Sequence, residues 1–247
     1  MASQKFKVWR GNKEGGEFVE YECEVDPGMV VLDAIHRIQA YQANDMAVRW
    51  NCKAGKCGSC GVEVNGKPRL ACMTRLGEYD ANETIHVQPL KTFPIIKDLV
   101  TDVSWNYKQN QRIKPFKPGP PDADGNYRMK QEDVDRVQEF RKCIECFLCQ
   151  DVCHVLRDHE QKDRFVGPRF MIRLAGLEMH PLDTEDRIPA IKEEYGSGMC
   201  NITRCCTEVC PEHINITDNA IIPLKERVVD RYYDPLMKVW RAIFGKK

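Results

Sequence analysis

Thirteen cysteines lie in the 247-residue chain; twelve stand in three groups, and eleven of those have a spacing that suits chemistry at a metal. The first group is Cys52-x4-Cys57-x2-Cys60, with Cys72 further on. The second is Cys143-x2-Cys146-x2-Cys149-x3-Cys153, and the third is Cys200-x5-Cys206-x3-Cys210-Pro211, with Cys205 inside it. A thiolate is a soft anionic donor, suited to zinc or to iron in sulfide-bridged clusters, and only the clusters carry single electrons. Disulfides explain the groups poorly. The cysteine count is odd, the chain is long, and cysteines three residues apart converge on one point instead of joining distant loops.

Cys-x4-Cys-x2-Cys with one distant cysteine is the plant-type [2Fe–2S] spacing. Gly55 and Gly58 let the loop Cys52–Cys60 close around a small object, with backbone N–H groups turned toward the sulfurs. A structural zinc site is the competing explanation, but zinc favours paired Cys-x2-Cys knuckles, and this group holds only one such pair. The second and third groups have to be read together. In the bacterial run Cys-x2-Cys-x2-Cys-x3-Cys the fourth cysteine serves a neighbouring cluster. Cys143, Cys146 and Cys149 are therefore expected to share a [4Fe–4S] cluster with Cys210, the cysteine before Pro211. Cys153, Cys200 and Cys206 are left for another. A fourth ligand would stand midway between Cys200 and Cys206, where the sequence has Thr203, a poor iron ligand. Three thiolates predict a [3Fe–4S] cluster, with Cys205 as the rival ligand that would restore a second [4Fe–4S].

The elements that must position these residues divide the chain at a proline-rich seam. Residues 1–105 read as a mixed α/β unit. Phe6 and Val8 mark a first strand. Val19, Tyr21, Cys23 and Val25 alternate with Glu20, Glu22 and Glu24, and Leu32, Ile35 and Ile38 recur at helical spacing. Val62 and Val64, the turn Asn65-Gly66 and the return Arg69–Cys72 predict a hairpin, and Ile85 and Val87 a closing strand. From 106 to 131, Pro115, Pro118, Pro120 and Pro121 with Gly119 and Gly125 predict a connector without regular structure. Residues 132–247 read as helical. Val134, Val137 and Phe140 form a stripe, Gly167-Pro168 starts a helix bearing Phe170, Leu174 and Leu177, and a last helical stretch from Asn215 is interrupted at Pro223 and Pro235. The fold class expected is α+β.

Lys plus Arg and Asp plus Glu both number 37, so charge gives no case for a nucleic-acid partner. Apolar runs such as Met29–Leu32 are far below the roughly 20 residues of a membrane helix. Met-Ala-Ser-Gln-Lys runs straight into a strand, leaving no room for a signal or transit peptide, so a soluble chain is expected. At the C-terminus Val239, Trp240, Ile243 and Phe244 mix with Lys238, Arg241, Lys246 and Lys247. The expectation is that this stretch packs on its own domain in preference to a membrane partner. Cys23 on an inward strand face is a buried small hydrophobe. His36, His86, His159, His180 and His213 are scattered and need no metal role.

With the ligands placed, the chain resembles the iron–sulfur subunits of succinate dehydrogenase and fumarate reductase over nearly its whole length. Arg49-Trp50-Asn51-Cys52 through Cys57-Gly58-Ser59-Cys60-Gly61, then Leu70-Ala71-Cys72, looks like the family's first-cluster motif. Cys143-Ile144-Glu145-Cys146, Gly167-Pro168, Asp183-Thr184-Glu185-Asp186-Arg187 and Cys210-Pro211 look like its later landmarks. The resemblance implies a β-grasp ferredoxin-like domain followed by an all-α helical ferredoxin domain. It also implies an electron path from the FAD of a flavoprotein partner through [2Fe–2S], [4Fe–4S] and [3Fe–4S] clusters to quinone at a membrane anchor. No residue of this chain is then expected to act as acid, base or nucleophile on succinate. The implied place is the cytoplasmic face of a prokaryotic inner membrane, where partner subunits hold the chain.

The sequence departs from the family pattern around the third cluster. Cys153 is followed by His154 where many members have proline, Asn201 stands where ubiquinone-reducing members often have histidine, and Leu156-Arg157-Asp158 replaces a tryptophan pair. Menaquinone is the expected quinone, with His154, Arg157 and Asn201 lining its site. Fumarate reduction by the same device is the nearest alternative. Membership of another flavin dehydrogenase and a zinc-stabilised binding module are the others.

Overall fold

Phe6 and Val8 alternate with lysines, and Val19, Tyr21 and Cys23 with glutamates, so two period-two stretches pair as one long antiparallel hairpin. The computed structural model describes residues 2–244, and in it β1 (Ala2–Asn12) and β2 (Gly15–Val25) pair along their full length. Met1, Gly245, Lys246 and Lys247 lie outside the described residues. Lys7 stands opposite Glu20, with 3.0 Å between their charged groups, so the glutamate row is a solvated face matched by lysines. Helix α1 (Val31–Tyr41) buries Val31, Leu32, Ala34, Ile35 and Ile38, and the Asp33 carboxylate accepts the Val30 N–H at its start. β3 (Gly61–Val64) and β4 (Lys67–Leu70) form the second hairpin around Asn65-Gly66, at φ 48° and 76°.

β5 (Ile85–Gln88) is central instead of closing. It runs parallel to β1 and antiparallel to β3. Two further short strands follow, β6 (Ile95–Lys97) and β7 (Val100–Thr101), giving the sheet order β4-β3-β5-β1-β6-β7 with β2 on β1. Strands of three and two residues with an irregular register carry too little periodicity to be read from sequence. The core joins Phe6, Val8, Val62, Val64, Ile85 and Val87 to the buried face of α1.

The described chain forms two compact units, and neither is one continuous segment. The first comprises the chain to Tyr107 together with Ile144–Val152 and Val209–Glu212. Phe147 and Leu148 join its core. Asp151 on the short helix α4 (Leu148–Asp151) accepts the Thr92 N–H at 3.0 Å, and the Thr92 hydroxyl donates to the Asp151 carbonyl at 3.0 Å. Cys146 and Cys149 of the second cysteine group are thereby tied to the β unit. Helix α2 (Ser104–Arg112) spans the division between units, so the irregular run starts later than the sequence predicts. Its first N–H is taken by the Asp102 carboxylate at 2.8 Å, and no proline occurs between Pro94 and Pro115.

The second unit is helical: α3 (Gln131–Gln138), α5 (His154–Arg157), α6 (Pro168–Glu178), α7 (Ile188–Glu193), α8 (Cys205–Glu208), α9 (Ile222–Tyr232) and α10 (Pro235–Phe244). Pro223 does not interrupt the late stretch. A π-helical turn at Ile216–Ile221 runs directly into α9, and Pro223 stands at the junction of the two. The proline connector is held by the segment Asp183–Arg187. The Arg187 guanidinium donates to the carbonyls of Lys114 at 2.7 Å and Pro115 at 2.8 Å and to Asp183 at 2.7 Å. The Arg187–Asp183 ion pair is buried on both sides. Thr184 N–H donates to Lys117 O, and Gly119 N–H to Leu182 O.

Arg187→Met is expected to destabilise the chain by about 3–5 kcal/mol, because it leaves Asp183 buried and two connector carbonyls without donors. Denaturant unfolding followed by far-ultraviolet circular dichroism measures this. A midpoint equal to wild type would mean that the connector does not depend on Arg187.

Candidate metal centres

In the first cysteine group the Cys52 sulfur accepts backbone N–H groups from Ala54 and Lys56, both at 3.3 Å. Lys53 and Gly55 take φ 53° and 67°, which turns successive amides toward the sulfur. Hydrogen bonding from the Ser59 hydroxyl pulls the Cys57 thiol down to about 6. Cys60 and Cys72 are buried at the end of the β3–β4 hairpin, and the Cys72 N–H points at the Cys60 sulfur at 3.5 Å. Burial pushes the Cys60 thiol up to about 12. Gly58 (φ 68°) admits no side chain, since a Cβ would stand 2.8 Å from Cys146 Cα and 2.9 Å from the Ile144 carbonyl oxygen. The loop Cys52–Cys60 and the segment bearing Cys146 therefore touch backbone to backbone within the first unit.

The second and third groups share one backbone register. Glu145 and Phe147, two and four residues after Cys143, lie at φ 56° and 61°. Ile202 and Arg204, two and four residues after Cys200, lie at φ 63° and 64°. A β-branched residue at positive φ costs about 1–3 kcal/mol and persists only where the surroundings enforce it. In this register Cys200 matches Cys143, Thr203 matches Cys146, Cys206 matches Cys149, and Cys210 matches Cys153.

Cys146, Cys149 and Cys210 fall in the first unit, and Cys143 is the last residue before its Ile144–Val152 segment. Cys153, Cys200 and Cys206 all fall in the second unit. Burial pushes Cys153 up to about 12 and Cys206 up to about 11, the latter offset in part by the Thr217 hydroxyl at 3.5 Å. Thr203 is exposed, and its hydroxyl lies 3.3 Å from the Cys205 sulfur.

Thiols raised this far ionise only when a metal takes the place of the proton. Strained loops around them and N–H groups aimed at sulfur are what an iron–sulfur cluster asks of its surroundings. Among the described residues no three His, Cys, Asp or Glu side chains converge as a site for one ion. Cluster ligands stand on separate irons and so are spread more widely than the ligands of a single zinc.

A cavity of about 350 Å³ in the second unit is lined by His154, Val155, His159, Gln161, Arg164, Met199 and Asn201. Two of the residues expected near quinone, His154 and Asn201, meet here. Arg157 is not in the lining, and its guanidinium stands 3.8 Å from Asp158. The His154 and His159 rings meet edge to face at 5.9 Å, and His154 Nε2 is buried without a hydrogen-bond partner. Sequence reasoning passed over His159, Arg164 and Met199, which only the fold gathers. It also missed Lys225, whose ammonium donates to the Cys200 carbonyl at 2.6 Å from 25 residues away. Cys23 is buried against α1 as expected, its sulfur 3.9 Å from the Ala34 carbonyl oxygen.

Two family models match successive parts of the chain. The family model of a 2Fe–2S iron–sulfur cluster binding domain matches residues 5–108, and that of a 4Fe–4S dicluster domain matches 139–214. The chain is 62% identical to a chain of the Mycobacterium smegmatis Sdh1 complex in the apo form, covering 95% of this chain and 99% of that one, with a TM-score of 0.92. It is 31% identical over 206 residues to the fumarate reductase iron–sulfur subunit of Mycobacterium tuberculosis, covering 80% of this chain and 81% of that subunit. An uncharacterized iron–sulfur protein of Methanococcus maripaludis is 32% identical over 219 residues, but this chain spans only 42% of its length. An N-terminal mixed sheet with a [2Fe–2S] domain and a helical [4Fe–4S] domain after it, matched from end to end by such relatives, places this chain in the family of succinate dehydrogenase and fumarate reductase iron–sulfur subunits.

Proposed function

We propose that this chain passes electrons singly from the FAD of a flavoprotein partner to quinone at a membrane anchor, as the iron–sulfur subunit of a succinate-oxidising complex. The observation that carries the reading is the cavity built from His154, Met199 and Asn201, the sequence neighbours of Cys153 and Cys200. It offers an acceptor site next to the last thiol group. Cys52, Cys57, Cys60 and Cys72 would hold [2Fe–2S]; Cys143, Cys146, Cys149 and Cys210 would hold [4Fe–4S]; Cys153, Cys200 and Cys206 would hold [3Fe–4S]. Bound clusters supply reversible one-electron uptake, and the chain itself performs no proton chemistry on succinate.

The chain's own residues set the conditions for that transfer. The N–H groups of Ala54 and Lys56 stabilise negative charge on the Cys52 sulfur. Thr203 withholds a fourth thiolate. The buried His154 Nε2 and the exposed Arg164 and Asn201 present polar groups suited to quinone carbonyls. Asn201 and the Leu156-Arg157-Asp158 stretch support menaquinone over ubiquinone. The 62% identity to an Sdh1 chain, against 31% to a fumarate reductase subunit, supports succinate oxidation as the direction. The domain limits that accompany this reading are 1–105 and 132–247, with a connector at 106–131 that is irregular only beyond α2, on the cytoplasmic face of a membrane.

Thr203→Cys is expected to complete a four-thiolate set, removing the oxidised three-iron signal from the low-temperature electron paramagnetic resonance spectrum of the purified complex. An unchanged spectrum, or no such signal in the wild type, would refute the assignment of Cys153, Cys200 and Cys206. Asn201→Ala and His154→Ala are each expected to raise the KM for a menaquinone analogue about tenfold, the loss of one hydrogen bond at roughly 1–1.5 kcal/mol. Succinate oxidation with a soluble dye should be unaffected. Unaltered quinone kinetics in both variants would remove the cavity from the electron path.

A further inference from the structure

Helix α10 turns its apolar side to solvent, contrary to the expectation that it packs on its own domain. Leu236, Val239, Trp240, Ile243 and Phe244 recur at three- and four-residue spacing, and each is between 47% and 79% exposed. The side chain of Asp234 starts the helix by accepting the N–H groups of Leu236 at 2.8 Å and Met237 at 3.1 Å. Among the described elements its main neighbour is α9, from which Tyr233 and Asp234 separate it.

The charge in this stretch of the sequence is one-sided. Lys238 is exposed within the helix, Arg241, Lys246 and Lys247 follow in the sequence, and no acidic residue occurs after Asp234. The chain as a whole is balanced, so this run of four bases without an acid is a local feature. A ten-residue helix is about 15 Å long, half of what a membrane span requires. Among the described residues no helix is long and apolar enough to cross a membrane. A short helix with Trp, Phe, Ile and Leu on one side and only bases among its charges has the make-up of a segment lying in the lipid–water interface. Its bases select anionic headgroups.

We propose that α10 binds an anionic lipid surface directly, giving the chain a membrane contact of its own in addition to any partner subunit. A protein groove would accept the apolar face equally well but gives no reason for four bases without an acid, whereas an anionic bilayer satisfies both features.

The test uses the full chain with its clusters assembled anaerobically, sedimented with vesicles of phosphatidylcholine alone or with about one third phosphatidylglycerol. The expected result is binding at least tenfold tighter to the phosphatidylglycerol vesicles, weakened by salt, and quenching of Trp240 fluorescence by brominated lipid that is absent in Trp240→Phe. Leu236→Ser with Ile243→Ser should lower binding at least tenfold while leaving the visible absorption of the clusters unchanged, which establishes that the variant folds. Lys238→Glu should lower it about fivefold. Equal binding to both vesicle types, no binding by the wild type, or undiminished binding by the double variant would each overturn the proposal.

Discussion

A sulfur that must be an anion and must also be buried sets the terms for the rest of this molecule. Cys60, Cys153 and Cys206 lie in surroundings that push their thiols up to between about 11 and 12, so as free thiols they would keep their protons. Iron reverses that preference, because the positive charge of the metal outweighs the desolvation of the thiolate. Both loops that follow Cys143 and Cys200 bend through the left-handed region at the same two positions, and the strain at Ile202 is the clearest mark of it. Backbone N–H groups on Cys52 and the Thr217 hydroxyl on Cys206 answer the same demand with hydrogen bonds.

The shared register of the two loops explains why the second and third groups look alike yet need not bind alike. Two copies of one wrapping geometry follow Cys143 and Cys200, and the position filled by Cys146 in one is filled by Thr203 in the other. Under the proposed ligand assignment, this single side chain is what would separate a four-thiol from a three-thiol setting, since both loops share the same positive-φ positions. Selection could alter cluster composition at such a position at little cost to folding.

The family landmark Asp183–Arg187 has a structural task. Arg187 spends its hydrogen bonds on the connector carbonyls of Lys114 and Pro115 and on buried Asp183. A proline-rich stretch lacks the N–H groups to pair with itself, so it borrows order from a side chain about seventy residues away. The cavity near Cys153 and Cys200 is likewise assembled from distant segments, with Arg164 and Met199 joining His154 and Asn201.

By itself the sequence determined the cysteine spacings, the iron chemistry they imply, the strand character of β1 and β2, the β3–β4 hairpin, and the start of α6 at Pro168. Each depends on neighbours within a few residues, through ligand reach, strand periodicity or turn stereochemistry. Cluster spacing is legible for the same reason, since a loop of set length can wrap only one small object. The tertiary structure alone decided that β5 is central, that β6 and β7 extend the sheet, and that Ile144–Val152 packs with the β unit through Asp151 and Thr92. It also decided that Lys225 reaches the Cys200 carbonyl and that α10 leaves its apolar side uncovered. Those outcomes turn on contacts between segments far apart in the chain, for which a local pattern of residues carries no signal.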